Sequence, residues 1–379
     1  MKTRSESPKL ITKKKPKEKL ILETLRRELL TGVYPVHSKL PVQTKLSRRF
    51  RVGGGTVQRA LDRLIREGFL QARRRHGTFV VGKPPHLKNY ALVFHSEPSQ
   101  TWSKYYVALT NAAVTIQQEE DRRMMLFYGV DRHPDTDDYQ RLLNYIRAHR
   151  LGGIIFDNVP HNLQGTPLLD ETDIPRVAFM SQGVVGNVLA IGFNDRAFRE
   201  KAIAYLAEQG RKRVAVISMM SMSSDQETHL ESLAAARGMK SFPHWRLPIS
   251  YTAPEGATRC MQLLMQAPPD QRPDALIVTD DNLVEASLAG LVAAGVRVPQ
   301  DLDVVVHCNF PCPPMTVLPV KRLGYDIRQA LRLAIEAIDR SRRGESVPRF
   351  QSLIPVFDEE LPRKVTDPEL AAVGKEVAG

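Results

Sequence analysis

The sequence predicts an α/β protein in two parts: a small, strongly basic head of helices and a hairpin, and a long two-lobed domain of alternating strands and helices. Three observations carry this. Residues 1–90 hold 23 Lys+Arg against 6 Asp+Glu, a balance of +17, while the rest holds 31 against 36, a balance of −5; together they give the chain's +12. Apolar residues recur at helical spacing in the basic part, then fall into strand-like runs separated by helical stripes. The length, 379 residues, is enough for two or three domains with their own cores. So basic a segment joined to a mildly acidic remainder points to a nucleic-acid or membrane-binding module attached to something else. No apolar run approaches the ~20 residues of a membrane span. Residues 1–19 lack the apolar core of a secretion signal. Three cysteines make no even disulfide framework. The expectation is a cytoplasmic protein with no membrane partner.

In chain order, residues 1–17 read as a disordered basic tail, with Lys13, Lys14 and Lys15 between Pro8 and Pro16. Ile21, Leu22, Leu25 and Leu29 mark a first helix that Gly32 stops. A second short helix is expected at 43–50. After Gly53, Gly54 and Gly55, the stripe Val57, Ala60, Leu61, Leu64 and Ile65 marks a third, ended by Gly68. Residues 69–72 and 78–81 read as two strands, with Arg73, Arg74, Arg75, His76 and Gly77 at the hairpin tip. Three helices and a basic hairpin over 18–82 make a winged helix-turn-helix. Its third helix would enter the major groove of double-stranded DNA. Gln58 matches the adenine edge and Arg59 the guanine edge. The amides of Gly54, Gly55 and Thr56 open that helix, where phosphate is favoured. Arg48, Arg49, the tip residues and Thr78 are the remaining expected DNA contacts. The glycine run lacks the Gly-Lys-Ser/Thr of a nucleotide-binding loop.

Over residues 18–82 the sequence resembles the GntR family of bacterial regulators. The resemblance rests on Gly32, Lys39-Leu40-Pro41, Leu46, Val52, Thr56-Val57, Ala60-Leu61, Leu64, Glu67-Gly68 and His76-Gly77-Thr78-Phe79-Val80. The chain departs from the family in three places. Gly53-Gly54-Gly55-Thr56 stands where Ser-Arg-Thr-Thr is frequent, Gln58 where Arg is frequent, and Pro41-Val42-Gln43-Thr44 where Pro-Ser-Glu-Arg is usual.

Residues 83–89, with Pro84 and Pro85, read as a stiff linker. Beyond it, strands are expected at 90–95, 124–128, 153–157, 176–180, 188–192, 213–218, 275–279 and 304–307. Helices are expected at 105–119, 138–150, 197–209, 226–237, 255–266, 282–294 and 327–342. Such alternation argues a parallel α/β fold, and its length favours two lobes with a ligand at the carboxyl ends of the strands. Residues 90–357 form this domain and 358–379 a C-terminal tail.

This part resembles the LacI-type effector domain, which shares the fold of periplasmic sugar-binding proteins. The resemblance rests on Gly152-Gly153-Ile154-Ile155, Ile174-Pro175, Asn194-Asp195, Arg213-Val214, Pro273-Asp274-Ala275, Asp280-Asp281, Val298-Pro299, Asp301-Leu302 and Pro314-Met315-Thr316-Val317. It implies a sugar-like effector and a homodimer. It also places Asp281 at the family's cleft position, where Asp281 either accepts from ligand hydroxyls or caps the following helix. His95, Trp102 and Tyr105 fall in the family's aromatic-rich cleft segment, as ligand wall or as core. Asn194-Asp195 either lines the cleft or has Asp195 as a helix cap. The family's sugar-binding Arg-x-x-Gly-Phe is absent; residues 226–230 stand there.

His307, Cys308 and Cys312 lack a clear fourth metal ligand, and Cys260 reads as core. No hydrolase, metalloprotease or dinucleotide motif occurs. The expectation is therefore a regulator and not an enzyme, with no cofactor. It would bind a near-palindromic operator, most naturally as a repressor. The alternatives are a ligand-free dimerisation scaffold behind the same head, or a head fused to a pyridoxal-phosphate enzyme-like domain.

Overall fold

The computed structural model describes residues 17–30, 32–82, 85–99, 102–131, 135–170, 174–180, 185–250 and 252–362. The expected N-terminal tail, apart from Lys17, Lys83 and Pro84 of the linker, and 363–379 of the C-terminal tail lie outside the described residues.

The head contains α1 (Lys17–Leu30), α2 (Gln43–Phe50), α3 (Gly54–Arg66), β1 (Leu70–Arg73) and β2 (Gly77–Val80). The apolar stripes meet in one core: Ile21, Leu22 and Leu25 of α1, Leu46 of α2, and Val57, Ala60, Leu61 and Leu64 of α3. The hairpin covers its end with Phe69, Leu70 and Val80. β1 and β2 pair antiparallel, Leu70 opposite Val80 and Arg73 opposite Gly77. A third edge comes from the link before α2, where Leu40 N–H donates to Thr78 O and Val80 N–H to Ser38 O.

The remainder holds β3 (Asn89–Val93), α4 (Lys104–Glu119), β4 (Arg123–Phe127), α5 (Asp137–Arg147), β5 (Gly153–Phe156), α6 (Pro167–Asp170), β6 (Arg176–Phe179), β7 (Leu189–Phe193) and α7 (Asp195–Glu208). There follow β8 (Val214–Ser218), α8 (Ser224–Ala235), β9 (Arg246–Pro248), α9 (Glu255–Met265), β10 (Ala275–Val278), α10 (Val284–Ala293), β11 (Asp303–Phe310), β12 (Lys321–Asp326), α11 (Ile327–Arg342), β13 (Phe350–Leu353) and β14 (Val356–Phe357). They build two six-stranded sheets, ordered β13-β7-β6-β5-β3-β4 and β14-β12-β11-β10-β8-β9. The chain changes sheet three times, after β7, β12 and β13. β14 runs antiparallel to β12, while β8, β10, β11 and the body of β12 run parallel. Parallel strands are covered on both faces and read as unbroken apolar runs. β5 and β10 are buried at every position.

The chain groups into two compact units. One comprises Met1–Ser96, Asp121–Ile155 and Pro160–Pro175, the other Glu97–Glu120, Phe156–Val159 and Arg176–Gly379. In the second, the strand alternation of β11 sends Val304, Val306, Cys308 and Phe310 into a core shared with α9 and α10. Val305 points the other way, into a core built by Phe198, Ala202, Ile203 and Leu206 of α7. Cys260 is half-buried on α9 and Cys308 fully buried. No group of three or more His, Cys, Asp or Glu that could hold a metal occurs among the described residues. No described helix is long and apolar enough to cross a membrane.

Candidate DNA interface and ligand site

In the head, α3 buries one face and leaves Gln58, Arg59, Asp62, Arg63 and Arg66 exposed. Gly53 caps α3 without a side-chain bond, so no side-chain oxygen competes for the first amides, those of Gly54 and Gly55. α2 ends on Arg51 in the left-handed region, φ 52°, which turns the chain sharply into α3. Arg48, Arg73, Arg74, Arg75 and His76 are exposed around this face, with Thr56 and Thr78 half-buried. Arg73 lies over the Phe79 ring, 4.7 Å from its centroid. Gly77 holds φ +107°, and a Cβ there would sit 2.7 Å from Lys39 Cε. The hairpin tip therefore needs glycine.

Several expected contacts already have acidic partners. Arg59 Nε donates to Glu18 Oε2 of α1 at 2.9 Å. Arg49 donates from Nη1 to Glu28 Oε2 at 2.8 Å, and also bonds Tyr34 OH at 3.1 Å. Gln58 Nε2 donates to Asp62 Oδ1 at 2.8 Å, fixing the amide orientation. Among the described residues Arg48, Arg66, Arg74 and Arg75 make no ion pair.

The second unit gathers another constellation at the carboxyl ends of its strands. Asp281, between β10 and α10, is only 1% exposed. Asn309 of β11 donates to its Oδ2 at 2.7 Å. The capping alternative fails for Asp281. The cap of α10 is Leu283, and the local side-chain bond, to Asn282 N–H, comes from Asp280. Burial pushes the Asp281 carboxyl up, against the pull of His307, the Asn309 bond and Lys104. The capping alternative for Asp195 also fails, because Asn194 caps α7, its Oδ1 accepting from Ala197 N–H at 2.9 Å. Asp195 is left reachable by solvent yet hemmed by protein; desolvation raises its pKa, opposed by Arg199 and His307.

His307 thus stands electrostatically between Asp195 and Asp281. A chain of rings leads to it. Trp102 packs on Tyr106 (5.5 Å between centroids), Tyr106 on Tyr105 (5.4 Å), Tyr105 on Phe193 (5.7 Å), Phe193 on Tyr325 (4.9 Å) and Tyr325 on His307 (5.7 Å). Tyr105 OH donates to Asp157 O at 3.2 Å. The start of α4 is tied to the same region: Lys104 N–H donates to Asn282 Oδ1 at 3.0 Å, and Lys104 Nζ meets Glu285 at 2.6 Å. Arg199 Nε, His307 Nδ1 and Tyr325 OH are buried with no hydrogen-bond partner among the described residues.

The sequence-derived candidates Trp102, Tyr105, Asn194, Asp195 and Asp281 all fall in this unit, whereas His95, exposed after β3, falls in the other. Arg199, His307, Asn309 and Tyr325 were not expected there. The signal for two of them was a polar residue at alternate positions of an apolar strand, His307 and Asn309.

Comparison with known proteins separates the head from the long remainder. Residues 17–80 match the family of bacterial regulatory proteins called gntR, and residues 203–356 match a periplasmic binding protein-like domain. The arabinose metabolism transcriptional repressor of Halalkalibacterium halodurans is 22% identical over 366 residues, 89% of this chain and 93% of that protein. The repressor of the same name from Geobacillus stearothermophilus is 20% identical, over 91% of this chain and 98% of its own. A LacI-family regulatory protein from Chloroflexus aggregans matches in structure with a TM-score of 0.57 at 17% identity, over 72% of this chain and 96% of its own. A LacI-family regulator from Lactobacillus casei, solved with bound sucrose, matches at 0.53 and 16% identity, over 71% and 98%.

Proposed function

We propose, from a gntR-type head joined in one chain to a periplasmic-binding-protein-like domain, that this protein is a sugar-responsive transcriptional repressor acting in the cytoplasm. The observation that carries the reading is the pairing of two sites: an exposed reading helix ringed by exposed arginines, and polar side chains gathered at the strand ends of the effector domain. The head's Gln58 and Arg59 read base edges, while Arg48, Arg49, Arg73, Arg74, Arg75 and the α3 amides hold phosphate. In the effector domain Asp195, Asp281 and Asn309 accept or donate to ligand hydroxyls, and Trp102 and Tyr105 offer ring faces to a sugar. Arg199, His307 and Tyr325 complete the set. A buried polar atom without a partner costs about 1–3 kcal/mol, so a polyol that supplies partners is bound preferentially by the arrangement that presents them. Ligand that prefers one arrangement shifts the population toward it and changes operator affinity.

The chain acts as a homodimer on a near-palindromic operator. Exposed Val107 and Val114 on α4, and Met315 and Val317 (82% and 80% exposed), are apolar surface that a second copy would cover. Both long relatives are named for arabinose metabolism, which makes arabinose the first sugar to test. The experiment is thermal unfolding of the full chain against arabinose, other pentoses, hexoses, sugar acids and polyols. A specific sugar raises the melting temperature, and the rise is lost in a folded Asp281→Ala variant. A rise that survives this variant removes Asp281 from the site; no rise with any sugar refutes the sugar-sensing reading.

A further inference from the structure

Arg26 is a charged residue with no part in reading DNA. It sits on the inner side of α1 at 1% exposure, among the most buried large side chains of the protein. Burying a charged group so deep is costly unless it is paired; the two terminal nitrogens of Arg26 have partners, while its Nε is buried without one among the described residues. Its Nη2 is bonded to Glu67, the residue that ends the reading helix α3, and its face lies over the Phe69 ring at 5.5 Å. Its Nη1 leaves the head: it donates to the carbonyl of Ala148 at 2.8 Å. Ala148 is the C-cap of α5 in the effector domain, so its carbonyl lies among the unpaired, partially negative groups of a helix end.

The same node has further strands. Arg150, just beyond α5, approaches Glu67 Oε1 at 3.6 Å. Its carbonyl accepts from Asn89 Nδ2 at 3.1 Å, at the end of the linker. His86 of the linker is buried and stacks on Phe69, with centroids 4.6 Å apart and the planes 7° from parallel. All these residues belong to one compact unit. We propose that Arg26 is a positioning residue that clamps the DNA-reading head onto the C-terminal end of α5, so that the reading helix and the first β-strands of the effector domain move as one body. The planar guanidinium serves two acceptors at once, Glu67 and Ala148 O, which a lysine ammonium on its flexible stem does not reproduce. The aim of α3 is then set by α5, and a displacement of α5 is delivered to the DNA without passing through a loose tether.

The test measures geometry and needs neither operator nor ligand, so it stands or falls separately from the function proposed above. Spin labels are placed through genetically encoded ketone residues at the exposed positions Gln71 and Asp137 of the full chain, diluted with unlabelled chain. Pulsed electron resonance reads the distance distribution. The unaltered protein gives one narrow distance. Arg26→Met widens the distribution at least two-fold, and Arg26→Lys widens it as well. Glu67→Gln, which keeps an acceptor for Nη2, leaves it narrow. Non-specific duplex affinity stays within two-fold in all three, showing an intact head. Should Arg26→Met fail to fold, Arg26→Lys, which keeps the charge, carries the test alone. A broad distribution in the unaltered protein, or one unmoved by Arg26→Met, or by Arg26→Lys where the former does not fold, overturns the proposal.

Discussion

Glu18→Gln should make the protein bind DNA more tightly. The carboxylate of Glu18 holds Arg59 Nε at 2.9 Å, with the two side chains 35% and 62% exposed. To reach DNA, Arg59 must first give up this partner. An exposed ion pair of this kind is worth about 0.2–1 kcal/mol. Removing it should therefore raise the affinity for one half-site by about 1.4- to 5-fold, since 1.4 kcal/mol is tenfold. The salt dependence should change too. In the unaltered protein, Arg59 moving to the DNA leaves Glu18 bare, and the carboxylate recovers a cation that offsets the one released from phosphate. Without the carboxylate that offset vanishes, and the log–log salt slope steepens by up to about 0.9. Fluorescence anisotropy on a labelled duplex, titrated at several salt concentrations, reads both quantities. Glu18 also lies in the first turn of α1, where its charge favours the helix by about 0.3–1 kcal/mol. A small loss of melting temperature is thus expected and must be checked. Unchanged affinity and slope, or weaker binding in a folded variant, refutes the competition between Glu18 and DNA.

Three further outcomes are expected. Gly77→Ala forces a side chain into φ +107° and against Lys39, and should cost the head about 1–3 kcal/mol, read as a lower melting temperature together with weaker DNA binding. Asp281→Asn keeps an acceptor for Asn309 but removes a desolvated charge. Because the folded carboxyl is raised above its ordinary 3.8, its ionisation destabilises the fold progressively as pH rises from there through the folded value. The variant should gain on the unaltered protein over that window, as thermal melts at stepped pH would show; a gap that shrinks with rising pH contradicts the assignment. Thiol reagents should modify Cys312 and Cys260 well before Cys308, whose thiol is buried and pushed far up by desolvation, and peptide mapping after brief labelling decides it.

The parallel strands were legible because burial on both faces leaves a run with no polar interruption, as in Ala275–Val278. β9, β12, β13 and β14 were not. β12 begins Lys321-Arg322, and β13 is a four-residue edge that owes its existence to pairing with β7, Phe350 opposite Ala190. Nothing local in such a segment distinguishes a strand from a loop. The candidate ligand site divides in the same way. Asp195 and Asp281 were named because the resemblance to LacI-type effector domains puts them at that family's cleft positions. His307, Asn309 and Tyr325 come together through the register of β11 against β12, with Asn309 opposite Tyr325, and register between distant segments is not written in either one. The clamp was hidden for another reason: Arg26 lies in a helix whose other arginine, Arg27, is exposed, and only the packing separates the two.

The head's acids are placed to moderate its own basic surface. The described head carries five acids, Glu18, Glu23, Glu28, Asp62 and Glu67. Four of them hold groups of the reading surface or its support: Arg59, Arg49, Gln58, and Arg26 with Arg63. A head with every arginine free would bind any duplex strongly, because phosphate attraction carries no sequence information. Carboxylates that must be displaced weaken this general attraction by a fraction of a kcal/mol per contact. They weaken specific binding as well, but there the base-edge bonds proposed for Gln58 and Arg59 would add about 1–3 kcal/mol each and outweigh it. Arg59 and Gln58, proposed above to read base edges, both start in acidic hands. Because Arg59 in that role leaves Glu18 only where a guanine edge receives it, Glu18→Gln should raise affinity for the selected operator at least as much as for a random duplex, so the variant binds more tightly while its preference for the operator stays level or rises.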